Sequence, residues 1–62
     1  PLSPRERVVL AGLAGDVTLE GIARKLFVSR YTLKTQVRAV YRKIGASTRA
    51  EAAAWAEDAG LR

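Results

Sequence analysis

In the stretch VSRYTLKTQVRAVYRKIG, residues 28–45, Arg30, Lys34, Arg38 and Arg42 recur at four-residue intervals, Lys43 is added, and no acid occurs. Guanidinium and ammonium groups stay protonated near neutral pH, so their chemistry is ionic capture of a polyanion rather than proton transfer. On a helix, residues four apart are neighbours, and the ladder therefore makes like-charge pairs that each cost about 0.2–0.5 kcal/mol in isolation. An anionic partner outside the chain would offset that repulsion.

The charge distribution extends the same point. The chain has 62 residues with a formal net charge of +5. Between Glu20 and Glu51 there is no acid, yet Arg24, Lys25, Arg30, Lys34, Arg38, Arg42, Lys43 and Arg49 all lie there. A merely solvating face usually mixes signs. One sign alone favours a polyanion.

Other chemistries lack their residues. With no Cys and no His, the chain has no thiolate or imidazole metal ligand, no disulfide and none of the usual neutral-pH general bases. No metal and no cofactor is expected. The acids are Glu6, Asp16, Glu20, Glu51, Glu57 and Asp58, most of them at caps or helix ends, and no GxxxxGK loop exists. The expectation is a protein that is not an enzyme. No apolar run approaches the roughly 20 residues that span a bilayer, and no signal peptide is visible, so a cytoplasmic protein without a membrane partner is expected.

The elements that must carry the ladder can be read from caps and periodicity. One all-α domain over residues 1–62 is expected, a compact four-helix bundle with helices at about 4–15, 19–27, 30–44 and 49–59. Ser3, Pro4 and Glu6 make a capping box with Pro at the first helical position, and Val9, Leu10 and Leu13 form the apolar side. Gly12 in that helix suggests a close helix approach. Thr18 caps a short second helix that buries Leu19, Ile22, Ala23 and Leu26 and ends near Phe27.

Ser29 caps the third helix, in which Leu33, Val37, Val40 and Ile44 make one core stripe. Steps of 100° per residue put Tyr31, Lys34, Thr35, Arg38 and Arg42 on the opposite half. Gly45 ends the helix in a left-handed conformation. Thr48 and Glu51 make a second capping box for a last helix with Gly60 behind it, whose face of Ala52, Ala53, Trp55, Ala56 and Ala59 is mostly small. Such a face lets another helix approach, either from this domain or from a second copy. Ala52, Trp55, Ala56 and Ala59 are accordingly candidates for a weak homodimer contact.

A short helix, the connection Phe27-Val28-Ser29 and a longer helix with a basic outward face make a helix-turn-helix. A B-form major groove about 12 Å wide admits one helix, with its N-terminal half at the base edges and its flanks at the phosphates. Tyr31, Lys34, Thr35 and Arg38 fall in that half. The strings LSPRERVVLAGLA and IARKLFVSRYTLKTQVRAVYRKIGASTRAEA resemble the LuxR/GerE-type DNA-binding domain of bacterial transcription regulators over nearly the whole chain. The resemblance implies a four-helix bundle whose third helix enters the major groove and whose fourth commonly dimerises. It also implies a place at the C-terminal end of a longer regulator, for which the abrupt start at PLSP is a further hint. Position by position it implies that Lys34, Thr35 and Arg38 approach bases, with Ser29, Thr32, Arg42 and Lys43 nearer the backbone.

The remaining residues read as follows. Arg38 can grip guanine O6 and N7, Thr35 can meet a thymine methyl, and Tyr31 can pack on a sugar or a methyl. Arg30 belongs with the backbone contacts, and Tyr41 sits at the edge of the core stripe with its hydroxyl free to reach a phosphate. Arg24 and Lys25 are either backbone contacts or plain solubility, and Arg49 stays similarly open. Glu6 projects within the apolar side of the first helix and is expected to pair with an arginine of the third, Arg42. Trp55 is read as a core anchor. Two other classes compete with sequence-specific binding of double-stranded DNA: a basic amphipathic helix on an anionic membrane, and a helix-turn-helix turned protein-interaction module.

Overall fold

The computed structural model describes residues 2–61. It has four helices, α1 (Pro4–Ala14), α2 (Leu19–Leu26), α3 (Arg30–Ile44) and α4 (Arg49–Asp58), and no strand among the described residues. The expected all-α architecture is present, with α1, α2 and α4 each ending one residue earlier than the periodicity suggests.

Each start is set by a hydroxyl that takes up a backbone N–H otherwise left without a partner. Ser3 Oγ accepts from the Glu6 N–H at 3.1 Å, and Glu6 Oε1 accepts from the Ser3 N–H at 2.8 Å, completing the capping box of α1. Thr18, Ser29 and Thr48 do the same for the N–H groups of Gly21, Thr32 and Glu51. The second box differs from expectation in one bond: Glu51 Oε1 accepts from the N–H of Ser47 at 2.6 Å rather than from that of Thr48. Thr48 has φ −135° where Ser3 has φ −72°, and the Glu51 carboxylate reaches one residue further back.

Val9, Leu10, Leu13, Ala14, Ile22, Ala23, Leu33, Val40, Ala52 and Ala56 form the core. Leu19, Leu26, Val37 and Ile44 pack against it from partly buried positions. The close approach at Gly12 exists, because a Cβ there would lie 3.1 Å from Ile22 Cγ1 and Cδ1.

The small face of α4 is used inside the domain. Ala52 and Ala56 are completely buried, and α1 against α4 is the most extensive helix pairing. These two residues are therefore core rather than homodimer surface. The absence of a side chain beyond Cβ lets α1 come close enough to cover them. Trp55 is corrected in the opposite sense: at 38% exposure it lies on the rim of the fold, beside Leu2, Ile44 and Leu61, and does not anchor the core.

Arg49 has a structural task that its sequence neighbourhood does not reveal. From the first turn of α4 its Nε donates to the Leu13 carbonyl at 3.0 Å, and its Nη2 faces the carbonyls of Gly12, Gly15 and Val17. The last carbonyls of a helix lack intrahelical donors and form the negative end of its dipole. α1 has no basic residue in its last turn, and Arg49 supplies the cation from another helix.

Candidate nucleic-acid interface

α2 and α3 are joined by a tight closure. The Val28 N–H donates to the Ala23 carbonyl at 3.0 Å and the Phe27 N–H to the Arg24 carbonyl at 3.2 Å, the bond pair of a Schellman motif. Phe27 itself is left-handed, with φ 59° and ψ 41°. Val28 turns inward against the core, and Ser29 then starts α3.

α3 is divided along its length. Leu33 and Val40 are fully buried, whereas Arg30, Tyr31, Thr32, Lys34, Thr35, Arg38 and Arg42 are exposed. Burial of the stripe fixes the helix's rotation about its axis, so the cations are held outward by the core behind them. Among the described residues Arg30, Lys34, Arg38 and Arg42 have no acidic partner. The structure thus brings together the residues that the spacing singled out.

The hydroxyls are partly committed. Thr35 Oγ1 donates to the Tyr31 carbonyl at 3.1 Å, leaving its methyl and its acceptor lone pairs for a partner. Ser29 Oγ donates to Thr32 Oγ1 at 3.0 Å and accepts from the Thr32 N–H. Tyr41 is partly buried against the core, as its place at the stripe's edge suggests. Gln36, also on α3, has a buried Oε1 without a protein hydrogen bond.

The flanking cations differ from the ladder. Arg24 lies 3.9 Å from Glu20 in an exposed pair, a contact worth little in stability. Lys25 is exposed. Lys43 Nζ donates to Glu6 Oε1 at 2.9 Å, so the acid of α1 pairs with Lys43 and not with Arg42. The expected ion pair across these helices is present with its cation shifted by one residue, because Arg42 turns to the outer face with the ladder. The Ser3 backbone N–H, and after it the Lys43 ammonium, hold the Glu6 carboxyl below its ordinary value of 4.5 against a smaller opposing effect of burial.

Two residues were not singled out as site residues by spacing and charge. Arg49 is excluded from the anion-facing set by its carbonyl contacts. Phe27 emerges with 95% of its surface exposed at the turn leading into α3. A large apolar residue at a helix end was the sequence signal, but only the backbone conformation separates it from packing. At the last helix, Trp55 and Ala59 remain at the surface after Ala52 and Ala56 are buried. No helix among the described residues is long and apolar enough to cross a membrane, and no group of His, Cys, Asp and Glu among them could hold a metal ion.

Comparison with known proteins gives consistent results. The GerE family model, described as bacterial regulatory proteins of the luxR family, matches residues 1–56. The probable transcriptional regulatory protein NarL of Mycobacterium tuberculosis is 46% identical over 53 residues, covering 86% of this chain and 24% of that protein. The CsgBAC operon transcriptional regulatory protein of Escherichia coli is 37% identical over 57 residues, 92% of this chain and 26% of its own length. An uncharacterized transcriptional regulatory protein of Bacillus subtilis, YxjL, is 39% identical over 61 residues, 98% of this chain and 28% of its own. The chain thus spans about a quarter of the length of these relatives. No solved structure matches it at comparable significance.

Proposed function

The chain belongs to the luxR family of bacterial regulatory proteins, and from that membership we propose that it binds double-stranded DNA sequence-specifically, with α3 in the major groove. The family is one of regulators rather than of enzymes. The observation that carries the finer reading is the division of α3: four exposed cations without acidic partners on one side, fully buried Leu33 and Val40 on the other.

A helix held in that way can enter a groove without loosening its own domain. Phosphate contacts then supply most of the affinity, and base edges supply the preference. Arg38 and Lys34 are assigned to guanine acceptors, Thr35 to a thymine methyl, and Tyr31 to the sugar or methyl beside it. Arg30, Ser29, Thr32, Tyr41, Arg42, Lys43, Arg24 and Lys25 are assigned to the backbone. Lys43 keeps 47% of its side chain exposed while paired with Glu6, so it can serve both.

The short span relative to its relatives supports a DNA-binding domain of a longer regulator; its place at the C-terminal end of a cytoplasmic protein is what the family resemblance implies. Weak homodimerisation is assigned to the exposed Trp55 of α4 and to Ala59 at its C-cap, which predicts half-sites about 34–36 Å apart, one turn of DNA.

The test is fluorescence anisotropy on random duplex DNA over a range of salt concentrations, with acidic lipid vesicles titrated in parallel. Binding with a log–log slope of about −0.9 per phosphate neutralised, and none to vesicles, is the expected result. No DNA binding at low salt would overturn the reading and favour a protein-interaction module.

A further inference from the structure

We infer that Phe27 is a DNA-contacting residue, its ring packing on the apolar groups that a duplex presents near the start of α3, thymine 5-methyl groups or deoxyribose edges. The inference rests on the DNA-binding reading above and adds a residue that charge and spacing do not select.

Three helices of this chain end in the same way. The N–H of Val28, Ala46 and Leu61 each donates back five residues, to the carbonyls of Ala23, Tyr41 and Ala56. Each closure requires a left-handed residue, and two of the three use glycine: Gly45 at φ 75° and Gly60 at φ 73°. The third uses Phe27 at φ 59°, which alone among the described non-glycine residues has a positive φ. A Cβ is disfavoured there and a bulky side chain is an outlier.

Burial does not offset that cost, since the ring is 95% exposed. The apolar contact that accompanies such a closure is made by the next residue, Val28. The fold therefore gains nothing visible from a phenylalanine at this position. Strain without structural return points to use by a partner.

The surroundings identify the partner. Arg24, Lys25, Arg30, Tyr31 and Lys34 are all exposed around Phe27 in the chain, and Tyr31 is a second aromatic at 81% exposure. The acid in this stretch, Glu20, is already beside Arg24. An exposed apolar ring flanked in the chain by exposed cations matches a duplex edge, where phosphates alternate with sugars and methyl groups. A protein partner would have to combine acidic and apolar surface in the same way, and it becomes an outcome of the test.

The experiment compares the wild-type chain with Phe27→Asn and Phe27→Leu, using thermal melts and anisotropy titrations on a duplex selected from a random library. A parallel duplex carries deoxyuridine in place of thymine. Asn tolerates the left-handed region, so Phe27→Asn is expected to melt at or above the wild-type midpoint while binding DNA about fivefold to tenfold more weakly, as loss of a ring partly buried against the duplex implies. The salt slope should not change, because no phosphate contact is removed, and Phe27→Leu should recover part of the affinity. If deoxyuridine weakens the wild type more than it weakens Phe27→Asn, the contact is the thymine methyl; if it weakens the two equally, through the methyl assigned to Thr35, the contact of Phe27 is deoxyribose. Phe27→Asn binding with wild-type affinity would overturn the inference and assign the ring to a protein partner, and a lowered melting midpoint would overturn it in favour of a role in the fold. A wild-type chain that binds no duplex overturns the DNA reading and this inference with it.

Discussion

Lys43 Nζ lies 2.9 Å from Glu6 Oε1, joining the last turn of α3 to the first turn of α1. The same carboxylate oxygen accepts from the Ser3 N–H, so one acid both caps α1 and tethers α3 to it. With 14% of its side chain exposed, Glu6 is far less solvated than its partner.

The tether makes stability depend on acid. The Glu6 carboxyl is held below its ordinary value of 4.5 in the folded chain, first by the Ser3 N–H and then by Lys43. A depressed carboxylate contributes stability above its unfolded value and loses it as pH falls through the folded one. Glu6→Gln should therefore melt below the wild type at neutral pH, and the gap should narrow once pH drops below 4.5. Thermal melts across an acid pH series check this. A gap independent of pH would remove Glu6 ionisation from the account.

Arg49 should be the most costly surface-proximal cation to remove. Its guanidinium takes up α1 carbonyls that have few other donors, and hydrogen bonds involving a charged group contribute about 1.5–3 kcal/mol. Arg49→Ala is expected to lose about 2 kcal/mol or more in denaturant titrations. Arg49→Lys should recover only part of this, since one ammonium cannot span the same carbonyls. The DNA salt slope of either variant, measured while folded, should equal that of the wild type.

What could be read from the chain was local. Ser3, Thr18, Ser29 and Thr48 act on N–H groups three residues away, and the α3 stripe repeats within one element, so caps and periodicity suffice for them. The outward ladder follows, because exposure of Arg38 is the other side of burying Leu33 and Val40. What was left open or misread needs the packing of distant segments. Arg49 meets carbonyls more than thirty residues earlier in the chain. Ala52 and Ala56 announce a close helix approach but not which helix makes it. Arg42 and Lys43 are neighbours on α3, and a projection cannot choose between them without the position of α1. Phe27 reads as an ordinary helix-end apolar residue until its φ is known.

The burial of Ala56 separates folding from self-association. Enlarging a fully buried alanine forces α1 and α4 apart at a cost of about 1–3 kcal/mol. Ala56→Leu should therefore lower the unfolding midpoint in denaturant while leaving weak dimerisation, followed by sedimentation, tied to folding alone. Trp55→Ala should do the reverse, keeping most of the stability and weakening self-association. Equal self-association in wild type and Trp55→Ala would remove Trp55 from the dimer contact.

The assignment of roles on α3 can be tested by setting Arg38 against Lys43. Arg38 is exposed without an acidic partner in the half of the helix assigned to bases, and a good bidentate guanine contact discriminates by about 1–3 kcal/mol. Arg38→Ala should weaken a selected site by that order and random DNA by much less. Lys43, at the far end and already beside Glu6, should act on the backbone only, so Lys43→Ala should weaken both DNAs alike. Because Glu6 neutralises part of the Lys43 charge before DNA arrives, the salt slope should fall by less than the roughly 0.9 expected of a free cation. Glu6→Gln frees that ammonium and should steepen the slope and tighten random-DNA binding, a gain that Lys43→Ala abolishes in the double variant. Equal losses for Arg38→Ala and Lys43→Ala on both DNAs would defeat the division of α3 into reading and gripping positions.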